Sequence, residues 1–141
     1  MKGTAMAKVN PRIDRHMTTS PYSIGQEQKL SQAHKLMRAH NIRHLPVLHG
    51  GKLVGVLSDR DLHLIESLRD VDPESVLVEE AMSPTVYTVE PDAPLADVVR
   101  EMAHHKYGCA VVAEAGKVVG VFTTIDAMRV LTDLLEGKAR I

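Results

Sequence analysis

The chain has no tryptophan, one phenylalanine, three tyrosines and one cysteine among its 141 residues. With aromatics at 3%, its core has to be assembled from Val, Leu, Ile, Met and Ala. The lone Cys109 excludes an internal disulfide framework and any zinc site built from several cysteines, and a cytoplasmic home is the simple reading. An excess of charge of one sign is missing too: 17 Lys and Arg stand against 18 Asp and Glu, a net charge of −1 with the eight histidines neutral. Nucleic acid is therefore not the expected partner, because a phosphate backbone is held by surplus cations and unpaired bases by exposed aromatic rings. No apolar run approaches the ~20 residues that span a bilayer, so no membrane association is expected. The first fifteen residues mix Lys2, Lys8, Asn10, Pro11 and Arg12 without a continuous apolar stretch, which does not read as a signal peptide.

What is present is an ordinary globular composition, 44% hydrophobic and 25% charged, enough for one domain or two very small ones. The sequence also repeats itself. A shift of 65 residues aligns 17–65 with 82–130 without a gap and gives 12 identities in 49 positions, among them Met17/Met82, Tyr22/Tyr87, His40/His105, Gly55/Gly120 and Asp61/Asp126. Ile13/Val78 carries the register upstream, and such internal repetition decides the fold before any local reading.

Each copy has the same periodicity. A short β-rich segment precedes a helical stripe, Leu30, Ala33 and Met37 in the first copy and Leu95, Val98, Val99 and Met102 in the second. Two apolar runs follow, 45–48 and 53–57, then 110–113 and 118–122, each pair separated by hairpin punctuation. A last helix opens at Ser58 and carries Leu62, Ile65 and Leu68; its counterpart opens at Thr123 and carries Met128, Leu131 and Leu135. The expected fold is α/β (α+β), two β-α-β-β-α repeats packed with pseudo-twofold symmetry, since one unit of about 50 residues buries too little surface alone. The expected boundaries are an extension 1–12, a first repeat 13–68, a linker 69–77, a second repeat 78–136 and a tail 137–141.

The stretch from Ile42-Arg43-His44-Leu45-Pro46-Val47 through Gly51-Lys52-Leu53-Val54-Gly55-Val56-Leu57-Ser58-Asp59-Arg60-Asp61 resembles a cystathionine-β-synthase (CBS) domain. So does Met82-Ser83-Pro84 through Gly120-Val121-Phe122-Thr123-Thr124-Ile125-Asp126, and together they look like one CBS pair covering nearly the whole chain. The second copy departs where Val111 replaces Pro46 and where Gly108-Cys109-Ala110 stands for Arg43-His44-Leu45. The resemblance implies a disc-like pair that dimerises, with clefts that hold adenosine-containing ligands, and a non-catalytic protein that senses a ligand or regulates an unnamed partner. No cofactor is required on that reading. An adenine nucleotide (AMP, ADP or ATP) is the expected ligand; S-adenosylmethionine, NAD or a cyclic dinucleotide stay open, as does an empty module for dimerisation.

The chemistry sits at Ser58-Asp59-Arg60-Asp61 and Thr123-Thr124-Ile125-Asp126, each placed between an apolar strand and a helix. A hydroxyl and the free N–H groups of a helix start suit a phosphate, and an ionised Asp one turn on accepts both hydrogens of a ribose cis-diol. The same spacing is also how a helix caps its own start. In the family the rest of each cleft comes from the other half. Tyr22, Ile42, Arg43 and His44, with Pro46 after them, are then expected to face Thr123–Asp126, and Tyr87, Tyr107 and Gly108 to face Ser58–Asp61. Arg43 brings a forked permanent charge and His44 a pH-dependent one. The tyrosines suit adenine stacking or plain packing. No histidine spacing completes a metal set, and no Ser-His-Asp or Cys-His arrangement supports catalysis.

Overall fold

The computed structural model describes residues 11–138; the expected extension and tail fall outside it except for Pro11, Arg12, Gly137 and Lys138. A 3-10 turn at Ile13–Arg15 leads into β1 (Thr18–Thr19), and the first copy follows as β2 (Ile24–Gly25), α1 (Leu30–His40), β3 (His44–His49), β4 (Lys52–Ser58) and α2 (Asp59–Glu66). The short helix α3 (Val78–Ala81) opens the second copy, which continues as β5 (Thr88–Val89), α4 (Leu95–His105), β6 (Cys109–Glu114), β7 (Lys117–Thr123) and α5 (Thr124–Leu135). The β-α-β-β-α order expected from the periodicity is present twice.

The two hairpins share one design. Pairing runs from His44↔Ser58 to His49↔Lys52 in one and from Cys109↔Thr123 to Glu114↔Lys117 in the other, with a register shift after Val47 and after Val112. Both two-residue loops lie at positive φ, Gly50 and Gly51 in the first and Ala115 and Gly116 in the second, the conformation that matches strand twist in a tight hairpin. Volume is conserved across the repeat: Leu45 faces Leu57 in the first hairpin, and Ala110 faces Phe122 in the second. The smaller residue on one strand makes room for the larger on the other.

The helical stripes behave as their spacing predicts in α1 and α4, where Leu30, Ala33, Met37, Leu95, Val98 and Met102 are buried. In α5 the outcome differs. Ala127 and Val130 pack on the core, whereas Met128, Leu131 and Leu135 face outward.

Packing does not follow the boundaries of the repeats. Ile13, at the head of the first copy, is fully buried in the core of the second, and its N–H donates to the Ala93 carbonyl at 2.8 Å. β1 completes the second sheet, whose order is β1-β7-β6-β5. Conversely, Val78 is fully buried in the first core beside β2-β3-β4, its N–H donates to the Gln28 carbonyl at 2.8 Å, and Ser83 bridges to Val56. Each copy lends its opening segment to the other.

Two glycines seal this exchange. A Cβ on Gly55 would collide with the Met82 side chain and stand 2.8 Å from the Ser83 carbonyl oxygen; a Cβ on Gly120 would collide with the Met17 side chain alone. Backbone cannot yield as a thioether can. Gly55→Ala is therefore expected to cost about 1–3 kcal/mol and Gly120→Ala less, an order that thermal unfolding of the two variants would check.

Candidate functional site

The Ser/Thr-x-x-Asp elements form where β4 and β7 turn into helices. Each is a reciprocal capping box: the Asp61 N–H donates to Ser58 Oγ at 3.1 Å while the Ser58 N–H donates to Asp61 Oδ2 at 3.0 Å. In the second copy the Asp126 N–H donates to Thr123 Oγ1 at 3.2 Å and the Thr123 N–H to Asp126 Oδ2 at 2.9 Å. The capping role is thus realised at both places.

Beyond the cap the two carboxylates differ. Asp126 is 6% exposed and also accepts from Thr18 Oγ1, at 3.4 Å to either oxygen, from Thr123 Oγ1 at 3.2 Å and from Arg129 Nη1 at 3.3 Å. Asp61 is only half-buried, and among the described residues its Oδ1 has no hydrogen-bond partner. The counterpart of Thr18 is Ser83, whose hydroxyl turns to the Thr85 carbonyl instead.

The hairpins fix the backbone beside each element. Arg43 stays with its own copy, its carbonyl accepting the Asp59 N–H at 2.9 Å, and Ile42, Arg43 and Asp59 line one cavity. Gly108 likewise stays with its own copy, its carbonyl accepting the Thr124 N–H at 3.1 Å. The reason is the hairpin register, which ties the start of β3 to the end of β4 and the start of β6 to the end of β7. What crosses between the copies is the opening segment, seen in Thr18 against Asp126. Thr18 escaped the sequence reading, although its place next to the repeated Met17 marked the segment.

His44 occupies the joint between the copies. Its ring lies where a side chain on Gly108 would go, with Nε2 2.6 Å from the position of a Cβ. Burial holds its imidazole below the usual range; the carboxylates of Asp59 and Asp61 pull upward and Arg43 adds to the depression. Such a histidine is neutral in the folded chain at pH values where the unfolded chain already binds a proton. Stability is then complete above the ordinary histidine pKa of about 6.5 and is lost as pH falls from there toward the lowered folded value. Denaturant titrations of the wild type at pH 7.5 and 5.5 should show that loss, and His44→Gln should reduce it.

Tyr22 stacks on His40 with ring centroids 3.7 Å apart, whereas Tyr87 stacks on Tyr107 at 5.2 Å and Tyr107 on His105 at 5.0 Å. Each tyrosine is stacked within its own copy, Tyr107 on two rings, and the repeated pair His40/His105 was the available signal. Pro46 is fully buried opposite Val56 and presents no surface to a ligand. Its effect is on Tyr22: the Val111 N–H donates to the Tyr87 carbonyl at 2.9 Å, a bond that proline at the equivalent position cannot make to Tyr22. Cys109 is buried with its thiol pushed up to about 11, which leaves it unreactive near neutral pH.

The cavity beside the first element has a volume of about 330 Å³ between the end of α1 and the start of α2; Arg38, Asn41, Arg43 and His63 stand on its wall. His34, which bridges α1 to Glu66 of α2 at 2.6 Å, forms its far side. No helix among the described residues is long and apolar enough to cross a membrane.

The sequence pattern of the CBS domain family matches this chain twice, at residues 12–65 and 78–133. The CBS domain-containing protein YhcV of Bacillus subtilis (strain 168) is 30% identical over 105 residues, covering 74% of each chain. Inosine-5'-monophosphate dehydrogenase of Korarchaeum cryptofilum (strain OPF8) is 32% identical over 122 residues, 86% of this chain; the matched part is 24% of that enzyme's length. Among solved structures, the CBS domain pair of protein MJ0100 in complex with 5-methylthioadenosine and S-adenosyl-L-methionine superimposes with a TM-score of 0.79. It is 26% identical and covers 93% of this chain and 100% of that one.

Proposed function

This chain belongs to the CBS domain family, with one copy of the domain in each half, and we propose that it is a regulatory module that binds an adenine nucleotide and catalyses nothing itself. One observation carries the reading: at Ser58–Asp61 a half-buried carboxylate with an unengaged oxygen lies one helical turn from a hydroxyl, on the strand end paired with His44 and next to Arg43. Asp61 supplies the acceptor that a ribose diol wants, and Arg43 a forked cation for phosphate. The adenosyl ligands held by the MJ0100 pair support the class of ligand. Binding acts by favouring one arrangement of the copies over another, a population shift that a partner protein reads.

Thermal shift and calorimetric titration with AMP, ADP, ATP, adenosine, S-adenosylmethionine, NAD and a cyclic dinucleotide test this. Adenine mononucleotides should raise the melting temperature most. A panel that leaves it unchanged throughout overturns ligand sensing.

A second reading, a dimerisation module, is favoured by the outward face of α5. Ile125, Met128, Leu131 and Leu135 recur along one side of this helix and are 49–78% exposed. An apolar stripe of that length on one helix suits the same stripe of a second copy across a twofold axis. Analytical ultracentrifugation of the wild type against Met128→Glu reads it directly, with a dimer expected to become a monomer. Both readings hold together if the dimer is what the nucleotide rearranges.

A further inference from the structure

The two ends of the molecule do not carry the same charge. Arg38, Arg43 and Arg60 of the first copy have Ala103, Gly108 and Ile125 as their counterparts in the second. Among the described residues none of the three arginines has an ion-pair or hydrogen-bond partner on its side chain, and two of them line the 330 Å³ cavity, where Asp59 is the one carboxylate on the wall. At the second copy the position of Arg43 is a glycine, and the space a side chain would need there is filled by the His44 ring. The second carboxylate is equally committed: Asp126 is buried, covered by Thr18 from the exchanged segment and paired with Arg129.

We propose that the chain takes up one phosphate-bearing nucleotide, at the first copy, and that the equivalent place in the second copy is filled by the protein's own Thr18, Arg129 and His44. This rests on the nucleotide reading above and deepens it. A phosphate brought to the second copy finds Gly108 where the first copy has Arg43 and Ala103 where it has Arg38, and a ribose diol there has to displace Thr18 and break the pair to Arg129 before it reaches Asp126. At the first copy neither obstacle exists. The cation asymmetry also selects among adenosyl ligands. A phosphate gains from Arg43 and Arg38, whereas the sulfonium of S-adenosylmethionine is repelled by them.

Calorimetric titration of the whole chain with AMP gives the stoichiometry. One equivalent per chain is expected, with affinity reduced about tenfold or more by Arg43→Ala, while adenosine, which has no phosphate, binds wild type and Arg43→Ala alike. Thr18→Val, which removes a hydrogen bond to Asp126 and lies outside the first site, should leave the affinity of the first site as in the wild type. Two equivalents per chain, or AMP binding that survives Arg43→Ala and disappears in Thr18→Val, overturns the one-site assignment while leaving nucleotide binding itself intact. Absence of AMP binding by the wild type overturns both.

Discussion

Asp61→Ala is expected to lower AMP affinity by more than a hundredfold and to lower stability only slightly. Two charge-assisted hydrogen bonds to a ribose diol amount to about 3 kcal/mol or more, and every 1.4 kcal/mol is a factor of ten. The same carboxylate also closes a capping box on Ser58, a contribution of about 1 kcal/mol. The two effects are separable because they are read by different measurements, titration calorimetry for the first and ligand-free melting for the second. Asp126→Ala inverts the pattern. Its carboxylate is buried among Thr18, Thr123 and Arg129, so its loss orphans several donors and the melting temperature should fall further than for Asp61→Ala, with AMP affinity little changed. A large loss of affinity from Asp126→Ala beside a small one from Asp61→Ala would assign the nucleotide to the wrong end.

The second large effect is on stability. Ile13→Ala is expected to cost about 2–5 kcal/mol, the range for deleting a fully buried aliphatic side chain, and to lower the melting temperature by about 10 °C. By sequence this residue opens the first copy. In space it fills the core of the second with Leu95, Val98, Met102 and Phe122, and the N–H groups of Ile13 and Leu95 tie the two segments through Ala93 and Pro11. Hydrogen exchange of the variant should therefore show loss of protection first in α4, β6 and β7, not in the neighbouring α1 and β3. Protection lost first in α1 and β3 would contradict the exchange of segments.

How much of this could be read beforehand follows from the range of the interactions. Hairpins, helix stripes and caps are local, and their signals sat within a few residues: Gly50-Gly51 for one turn, Leu30, Ala33 and Met37 for one face, Ser58 with Asp61 for one cap. The 65-residue repeat then made each local reading twice. Non-local facts stayed hidden. That the Arg43 carbonyl accepts the Asp59 N–H depends on hairpin register, which the sequence pattern allowed but did not select. That Thr18 reaches Asp126 depends on a strand pairing 103 positions long between Thr18 and Val121, for which a two-residue strand leaves no periodicity. The outward turn of Met128, Leu131 and Leu135 was equally illegible, because an apolar stripe on a helix says nothing of whether its partner lies in the same chain.

The exchanged opening segments bear on how such a chain comes to exist. A polypeptide holding one copy would leave its core open where Ile13 or Val78 belongs and would carry its own segment with nowhere to lie. It could complete itself only by trading segments with an identical neighbour, so its folding would depend on protein concentration. Joining two copies through the eleven residues between Glu66 and Val78 makes the trade an intramolecular one, at an effective concentration in the millimolar range for a short tether. Fusion of two copies thus removes the dilution limit from folding and lets the two differ: one carries Arg38, Arg43 and Arg60 where the other has Ala103, Gly108 and Ile125.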